Sequence, residues 1–138
     1  MTKEFCFSFL RQHRLAVLAS LADGFRPEAA LVGFAVTPEL EIVFDTVRTS
    51  RKYNNLIANP QVALVIGWKN ETTIQYEGIA SELGAGEGED LKEAYYAVYP
   101  DGRKRAVEWP QLTHFVVRPS WIRYSNFNDP VVIEEMSL

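Results

Sequence analysis

The stretch FDTVRTSRKYNNLIANPQVALVIGW, residues 44–68, holds the change of character on which the fold turns. It begins as the end of EIVFDT, where Ile42 and Phe44 fall on one side and Val43 and Asp45 on the other, the two-residue period of a strand. The next seven residues, Thr46 to Lys52, bring three hydroxyls (Thr46, Thr49, Ser50) and three cations (Arg48, Arg51, Lys52) to one place. Tyr53, Leu56 and Ile57 then repeat at helical spacing, so residues 49–59 read as a helix capped by Thr49 or Ser50. Asn59-Pro60 stops it. QVALVIGW, residues 61–68, reads as a buried strand. A strand therefore hands over to a short helix at a hydroxyl- and cation-rich junction, and a second strand follows.

Working outward, residues 3–13 read as a helix with Phe5, Phe9, Leu10 and His13 on one face and Thr2 as its cap. Residues 15–21, LAVLASL, are a strand-length apolar run, and Asp23-Gly24 signals a hairpin turn. Residues 28–37 and 40–46 read as strands broken at Thr37-Pro38-Glu39. The alternation in TIQYEGIASEL makes 72–83 another strand. A Gly- and acid-rich loop at 84–90 leads into a helix over 89–98, and Pro100-Asp101-Gly102 reads as a turn. Residues 112–125 form a long strand interrupted near Arg118-Pro119, and 130–134 a last short one. About seven strands and three helices, mostly in hairpin order, predict a mainly β, mostly antiparallel barrel or sandwich with flanking helices.

The chain has 138 residues, which suits one domain over 1–138. Hydrophobic residues make up 47% and charged residues 23%, ordinary for a globular chain and wrong for a disordered one. Eighteen acids against 14 Lys and Arg give a net charge of -4, which disfavours a general nucleic-acid binder but leaves room for a small basic pocket. No apolar run approaches the roughly 20 residues that span a bilayer, and the N-terminus lacks a signal-peptide layout. A cytoplasmic protein with no membrane partner is the expectation. Cys6 is the only cysteine and sits among Phe5, Phe7 and Phe9, which suits a buried, inert thiol. No spacing of His13, His114, Cys6 and carboxylates suggests a metal site.

Chemistry-bearing signals are few. The first N–H groups of a helix are unpaired and the helix dipole adds partial positive charge there, so a phosphate at the Thr46–Lys52 junction would meet amides, hydroxyls and cations together. The same residues also suit a plain capped helix with solvated cations. Arg103-Lys104-Arg105 reads as a solvated loop that could fringe an anionic ligand, and the acids Glu82, Glu87, Glu89, Asp90 and Glu93 as a solvated face. His114 alternates with Leu112 and Val116 and reads as a packed histidine. Trp68, Trp109 and Trp121 read as core. There is no G-x-S-x-G elbow and no Gly-rich phosphate loop, so an enzyme of this sequence would take its chemistry from a cofactor.

From Leu15 to Leu83, and above all in FDTVRTSRKYNNLIANPQVALVIGW followed by TIQYEGIASEL, the chain resembles the pyridoxamine 5'-phosphate oxidase-like family of FMN-binding split β-barrels. The resemblance implies that fold, a homodimer, and FMN lying in a groove between protomers. It implies that Thr46 lies near the flavin, that Arg51 and Lys52 hold its phosphate with Ser50 beside them, and that Ala30-Leu31-Val32-Gly33 passes the ring edge with its backbone. Thr73 stands where the oxidase has a glutamine on the ring, and Val32 where it has a lysine. The oxidase's C-terminal Arg-Leu-His-Asp-Arg pattern for pyridoxal phosphate is absent; the chain has Trp121-Ile122-Arg123-Tyr124-Ser125-Asn126-Phe127 instead. The implied function is hydride transfer between FMN and a small substrate or a reduced nicotinamide, in an oxidoreductase other than the vitamin B6 oxidase. The alternatives are a deazaflavin-dependent reductase, with Arg103, Lys104 and Arg105 meeting the longer cofactor tail, or a non-catalytic flavin- or haem-binding protein with His13 or His114 as the axial ligand.

Overall fold

The computed structural model describes residues 1–138. In chain order the elements are α1 (Lys3–Leu10), β1 (Leu15–Ala22), a 3-10 turn (Asp23–Phe25), β2 (Arg26–Gly33), β3 (Ala35–Val36), β4 (Ile42–Val47), α2 (Arg51–Ala58), β5 (Gln61–Ile66), β6 (Thr72–Leu83), α3 (Glu89–Val98), α4 (Asp101–Glu108), β7 (Leu112–Asn126) and β8 (Val132–Ser137). The strands pair in the order β2-β1-β5-β6-β7-β4-β3, and β8 pairs with the C-terminal half of β7. Every ladder is antiparallel.

Closure follows from chain order. The strands at the two ends of the sheet, β2 and β3, are consecutive in sequence and separated only by Phe34. The segment expected as one strand over 28–37 pairs first with β1 and then, past Phe34, with β4. One stretch of backbone so joins both ends of the sheet, and the sheet curls into a barrel that is split between β2 and β4. Phe34 is fixed at the handover by its buried ring and by its N–H, which donates to Arg14 O (3.1 Å).

The two-residue period fills the barrel. One register row runs Ala30, Leu18, Leu64, Tyr76 and Ile122 across five strands, with the last four fully buried. Helix α1 covers one end, inserting Cys6 and Leu10, and Thr2 Oγ1 caps it by accepting from Phe5 N (3.1 Å). Cys6 is buried, and burial raises the pKa of its thiol, as an inert packed cysteine requires.

Three expectations change. Residues 101–108 form helix α4 rather than continuing from a turn. Five of its eight residues are charged, so no apolar stripe betrays it. Tertiary contacts hold it: Gly102 packs so tightly on Tyr95 that a Cβ would lie 3.0 Å from the ring, and Arg105 reaches Asp45 (3.2 Å). Trp68 and Trp109 are about half exposed rather than core. Glu82, expected on a solvated face, points inward, as described below.

Tyr76 ties the barrel across its middle: its hydroxyl lies 2.8 Å from Leu40 O and 3.0 Å from Val117 O, with no water able to substitute at a fully buried site. Tyr76→Phe keeps the ring and strands these carbonyls, so it should lower unfolding free energy by about 1–3 kcal/mol. Urea unfolding with an unchanged m-value and an unchanged midpoint would show that the tie contributes nothing.

Candidate functional site

Strand β4 ends at Val47, and Ser50 caps α2. Ser50 Oγ accepts from Tyr53 N (3.2 Å), so of the two cap residues suggested by sequence Ser50 is the one used. The same hydroxyl lies 3.0 Å from Thr46 Oγ1, and Lys52 Nζ approaches Thr46 Oγ1 from the other side (3.5 Å). Thr46, Ser50 and Lys52 therefore converge, with Thr46 buried on β4. The N–H groups of Arg51 and Lys52 start the helix and have no intrahelical acceptor. Lys52 has no carboxylate within ion-pair distance, whereas Arg51 is paired with Glu28.

The junction opens on a cleft of about 430 Å³ lined by Ser20, Glu28, Ala29, Ala30, Arg51, Lys52 and Asn55. Its floor is built by strand parity. Glu28, Ala30 and Val32 alternate on the inner face of β2, opposite Ser20, Leu18 and Ala16 of β1. At the open end of the barrel this row turns polar, and Asn55 of α2 fills it, donating to Glu28 Oε1 (2.8 Å) and Ser20 Oγ (3.1 Å). The cleft thus offers an anion two cations at the start of α2, with Ser20 the one hydroxyl in its wall and Thr46 and Ser50 beside it, but it also carries its own carboxylate at Glu28.

A second polar cluster seats the other side of α2. Glu82 accepts from Thr113 Oγ1 (2.6 Å), Tyr53 OH (3.0 Å) and Arg48 Nε (3.2 Å). Burial alone would raise the Glu82 pKa, but the three donors together hold it below the ordinary carboxylate value. The cluster is continuous with the junction, because Thr113 stands opposite Thr46 in the β4–β7 ladder. Neither Glu28, Asn55 nor Glu82 was singled out as a site residue from sequence. A signal existed: Glu82 shares parity with the buried Ile74, Tyr76, Gly78 and Ala80 of β6.

The remaining residues separate. Ala30 and Val32 face the barrel interior, while Leu31 is 59% exposed on the outer face. β2 pairs with a neighbour on one side only, so alternate backbone groups at Ala30–Gly33 lack sheet partners. Thr73 does not join the junction. It lies at the start of β6, whereas Thr46, opposite Thr113, is level with the Leu83 end of that strand, so about ten residues or roughly 30 Å of strand separate them. Arg103 pairs with Glu93, Lys104 with Glu108 and Arg105 with Asp45, and none of the three lines the cleft. His114 is 5% exposed between the rings of Tyr95 and Tyr96; its Nε2 has no partner, and burial lowers its pKa. His13 lies on a different cleft, beside Trp68.

The Glu82 cluster fixes the sign of one pH effect. A carboxyl whose folded pKa lies below its unfolded value stabilises fully above the unfolded value, near 4.5, and loses that contribution as pH falls through the folded one. Glu82→Gln should therefore lower stability at pH 7 and flatten the fall in Tm below about pH 4.5. Parallel Tm-against-pH curves for variant and parent would remove Glu82 from this role.

Comparison with known proteins agrees with this architecture. The family model described as pyridoxamine 5'-phosphate oxidase matches residues 2–126. The pyridoxine/pyridoxamine 5'-phosphate oxidase of Gluconobacter oxydans is 36% identical over 84 residues, covering 60% of this chain and 40% of its own. The chain spans less than half the length of the curated relatives it matches. Among solved structures, a heme binding protein from Mycobacterium smegmatis superposes with a TM-score of 0.82 at 14% identity, over 98% of this chain and 57% of that one. A pyridoxamine 5'-phosphate oxidase-related, FMN binding protein from Nostoc punctiforme gives 0.65 at 14% identity, over 91% and 87%. At these identities the structures speak for the fold alone. With the match over nearly its whole length, this split β-barrel chain belongs to the pyridoxamine 5'-phosphate oxidase family.

Proposed function

We propose that the chain is an FMN-binding oxidoreductase, acting in the cytoplasm as a homodimer on a small organic substrate or a reduced nicotinamide. The observation that carries this reading is the β4–α2 junction, where Thr46, Ser50 and Lys52 converge within 3.5 Å contacts at a helix start, above a cleft. That donor set suits a phosphate monoester: amides at the helix N-terminus, two hydroxyls and an ammonium without a carboxylate partner. Lys52 and Ser50 would hold the phosphate, Thr46 would orient both through its hydroxyl, and the unpaired backbone edge of Ala30, Leu31 and Val32 would face the ring. Bound there, the flavin supplies hydride exchange; the protein positions the ring and excludes water.

Glu28 sets the terms of entry. Arg51 is tied to it, so Arg51 reaches a phosphate only by leaving Glu28 or by bridging the two anions. Asn55 keeps Glu28 satisfied in either case.

A second protomer belongs to the proposal for two reasons. Thr73 lies too far from the junction to share one ring with it inside a single chain, so it would act on the partner's cofactor. The outer face of β2, β1 and β5 is also apolar: Leu15, Leu31 and Val65 are each more than a third exposed there, and Leu31, Val17 and Val65 follow one another in register. Contiguous apolar surface of that kind marks protein interfaces. A deazaflavin is less well served, since the cations expected to meet its tail are each engaged with a carboxylate.

Direct titration tests the cradle. FMN added to the purified protein should stay with it through gel filtration, with the flavin absorption bands co-eluting. Lys52→Ala should weaken binding by about 1.5–3 kcal/mol, the range for a charged hydrogen bond. Glu28→Gln should tighten it, because it frees Arg51 and removes a negative charge beside the phosphate. A protein that takes up no FMN, or a dissociation constant that neither substitution moves, rejects the assignment. Sedimentation at micromolar concentration should give a dimer, and monomer alone would leave Thr73 without a cofactor to reach.

A further inference from the structure

A second cleft, of about 350 Å³, lies at the opposite end of β1, between the α1–β1 turn and the β5–β6 hairpin. It is lined by Gln12, His13, Arg14, Leu15, Gly67, Trp68 and Lys69. In a chain of net charge -4 this cleft has no carboxylate in its wall and two cations, Arg14 and Lys69, neither within ion-pair distance of any acid. Eight of the 14 Lys and Arg side chains do form such pairs. Two unpaired ones facing a common hollow raise the local potential for an anion.

The cleft is a built feature. Gly67 has φ +74°, open to glycine, and a Cβ there would lie 2.8 Å from His13 Nε2 and from the Phe9 ring. The hairpin can therefore close on the α1–β1 turn only because residue 67 is glycine. The His13 ring, packed against Phe9 with centroids 4.9 Å apart, walls one side. Burial, with the Lys69 charge adding to it, lowers the His13 pKa, which keeps the imidazole neutral at pH 7. Arg14 is anchored through its guanidinium, which donates to Val98 O (2.9 Å) and lies 5.9 Å from the Tyr99 ring centroid, and its remaining N–H donors have no acceptor in the chain. Trp68, on the rim, is 52% exposed with no aromatic neighbour. An exposed indole beside two unpaired cations offers a stacking face and an anion grip together.

We propose that this cleft binds a planar aromatic anion, with its ring on the Trp68 indole and its carboxylate or phosphate held by Arg14 and Lys69. Within one protomer the site is separate from the Thr46–Lys52 junction.

The three indole N–H signals in a nitrogen–proton correlation spectrum report on it, with Trp68 assigned by Trp68→Phe. AMP and 2-naphthoate are the probes, one for a phosphate and one for a carboxylate; adenosine and inorganic phosphate are their halves. Saturable movement of the Trp68 signal with AMP, 2-naphthoate or both is expected, and the stronger binder identifies the anion. Adenosine and phosphate should each bind at least about tenfold more weakly, and Lys69→Ala and Arg14→Ala should each weaken the response by about tenfold, the factor given by 1.4 kcal/mol. Lys69 has no partner to lose, so Lys69→Ala should melt as the parent does and carries the test if Arg14→Ala, which also loses the bond to Val98 O, is destabilised. Lys52→Ala should leave the Trp68 response intact. No Trp68 shift with either probe, equal binding of adenosine, indifference to both Arg14 and Lys69, or loss of the response in Lys52→Ala would each overturn the proposal.

Discussion

A single segment, residues 26–36, has to serve both ends of the sheet. β2 must pair with β1 and β3 with β4, and only Phe34 lies between them. A backbone that switches partners in one residue leaves a gap on the side where neither pairing continues. That gap is the split of the barrel, and helix α2 closes the barrel's open end beside it, seated on the ends of the strands. Helix α2 cannot do so with apolar contacts alone, because the strand ends it meets carry Ser20 and Glu28 on one side and Glu82 and Thr113 on the other. Asn55 and Tyr53, two residues apart and so on different faces of the helix, answer them separately. The start of α2, with its unpaired amides, is held in place by this two-sided seating.

Electrostatics in the chain follow one pattern. The protein is acidic overall, yet cations gather at defined places. Most are neutralised by a specific carboxylate: Arg51 by Glu28, Arg48 by Glu82, Arg105 by Asp45, Arg103 by Glu93. Such pairs stabilise where they are part-buried, as at Glu82 and Asp45, and little where both partners are exposed, as at Arg103 and Glu93. Their larger effect is to decide which cations stay available. Six are left over, among them Lys52 at the junction and Arg14 and Lys69 at the other cleft. Sites for anions in an acidic protein arise where pairing is incomplete, and a count of charges does not show where that happens.

The helix α4 region shows the limits of periodicity. Its sequence, DGRKRAVE, is polar all round and carries no core-facing stripe, so local patterning gives no helix there. The helix exists because Gly102 admits the Tyr95 ring and Arg105 finds Asp45 on β4, far away in sequence. The tryptophans mislead for a related reason. Burial depends on whether a strand position faces inward, and Trp68 lies past the end of β5, where no second layer covers it. Glu82 errs in the other direction: composition placed it with a run of acids, while its parity on β6 put it inside.

Most strand positions, helices α1, α2 and α3, the Thr2 cap, the Thr49-Ser50 cap site, the Asn59-Pro60 stop, the buried cysteine and the family were legible in the residues themselves, because each depends on neighbours within a few positions or on a contiguous motif. Thr46, Ser50, Arg51 and Lys52 were legible as a group for the same reason, since seven consecutive residues of one chain cannot be far apart. Tertiary structure alone decided that Glu28 sits on Arg51, that Glu82 gathers Arg48, Tyr53 and Thr113, that Thr73 lies at the end of β6 remote from the junction, and that Gly67 lets His13 and Trp68 border one cleft. All of these are pairings across long loops of sequence. They are set by strand order and by the inward or outward parity of each position, and local composition carries no information about either until the barrel is closed.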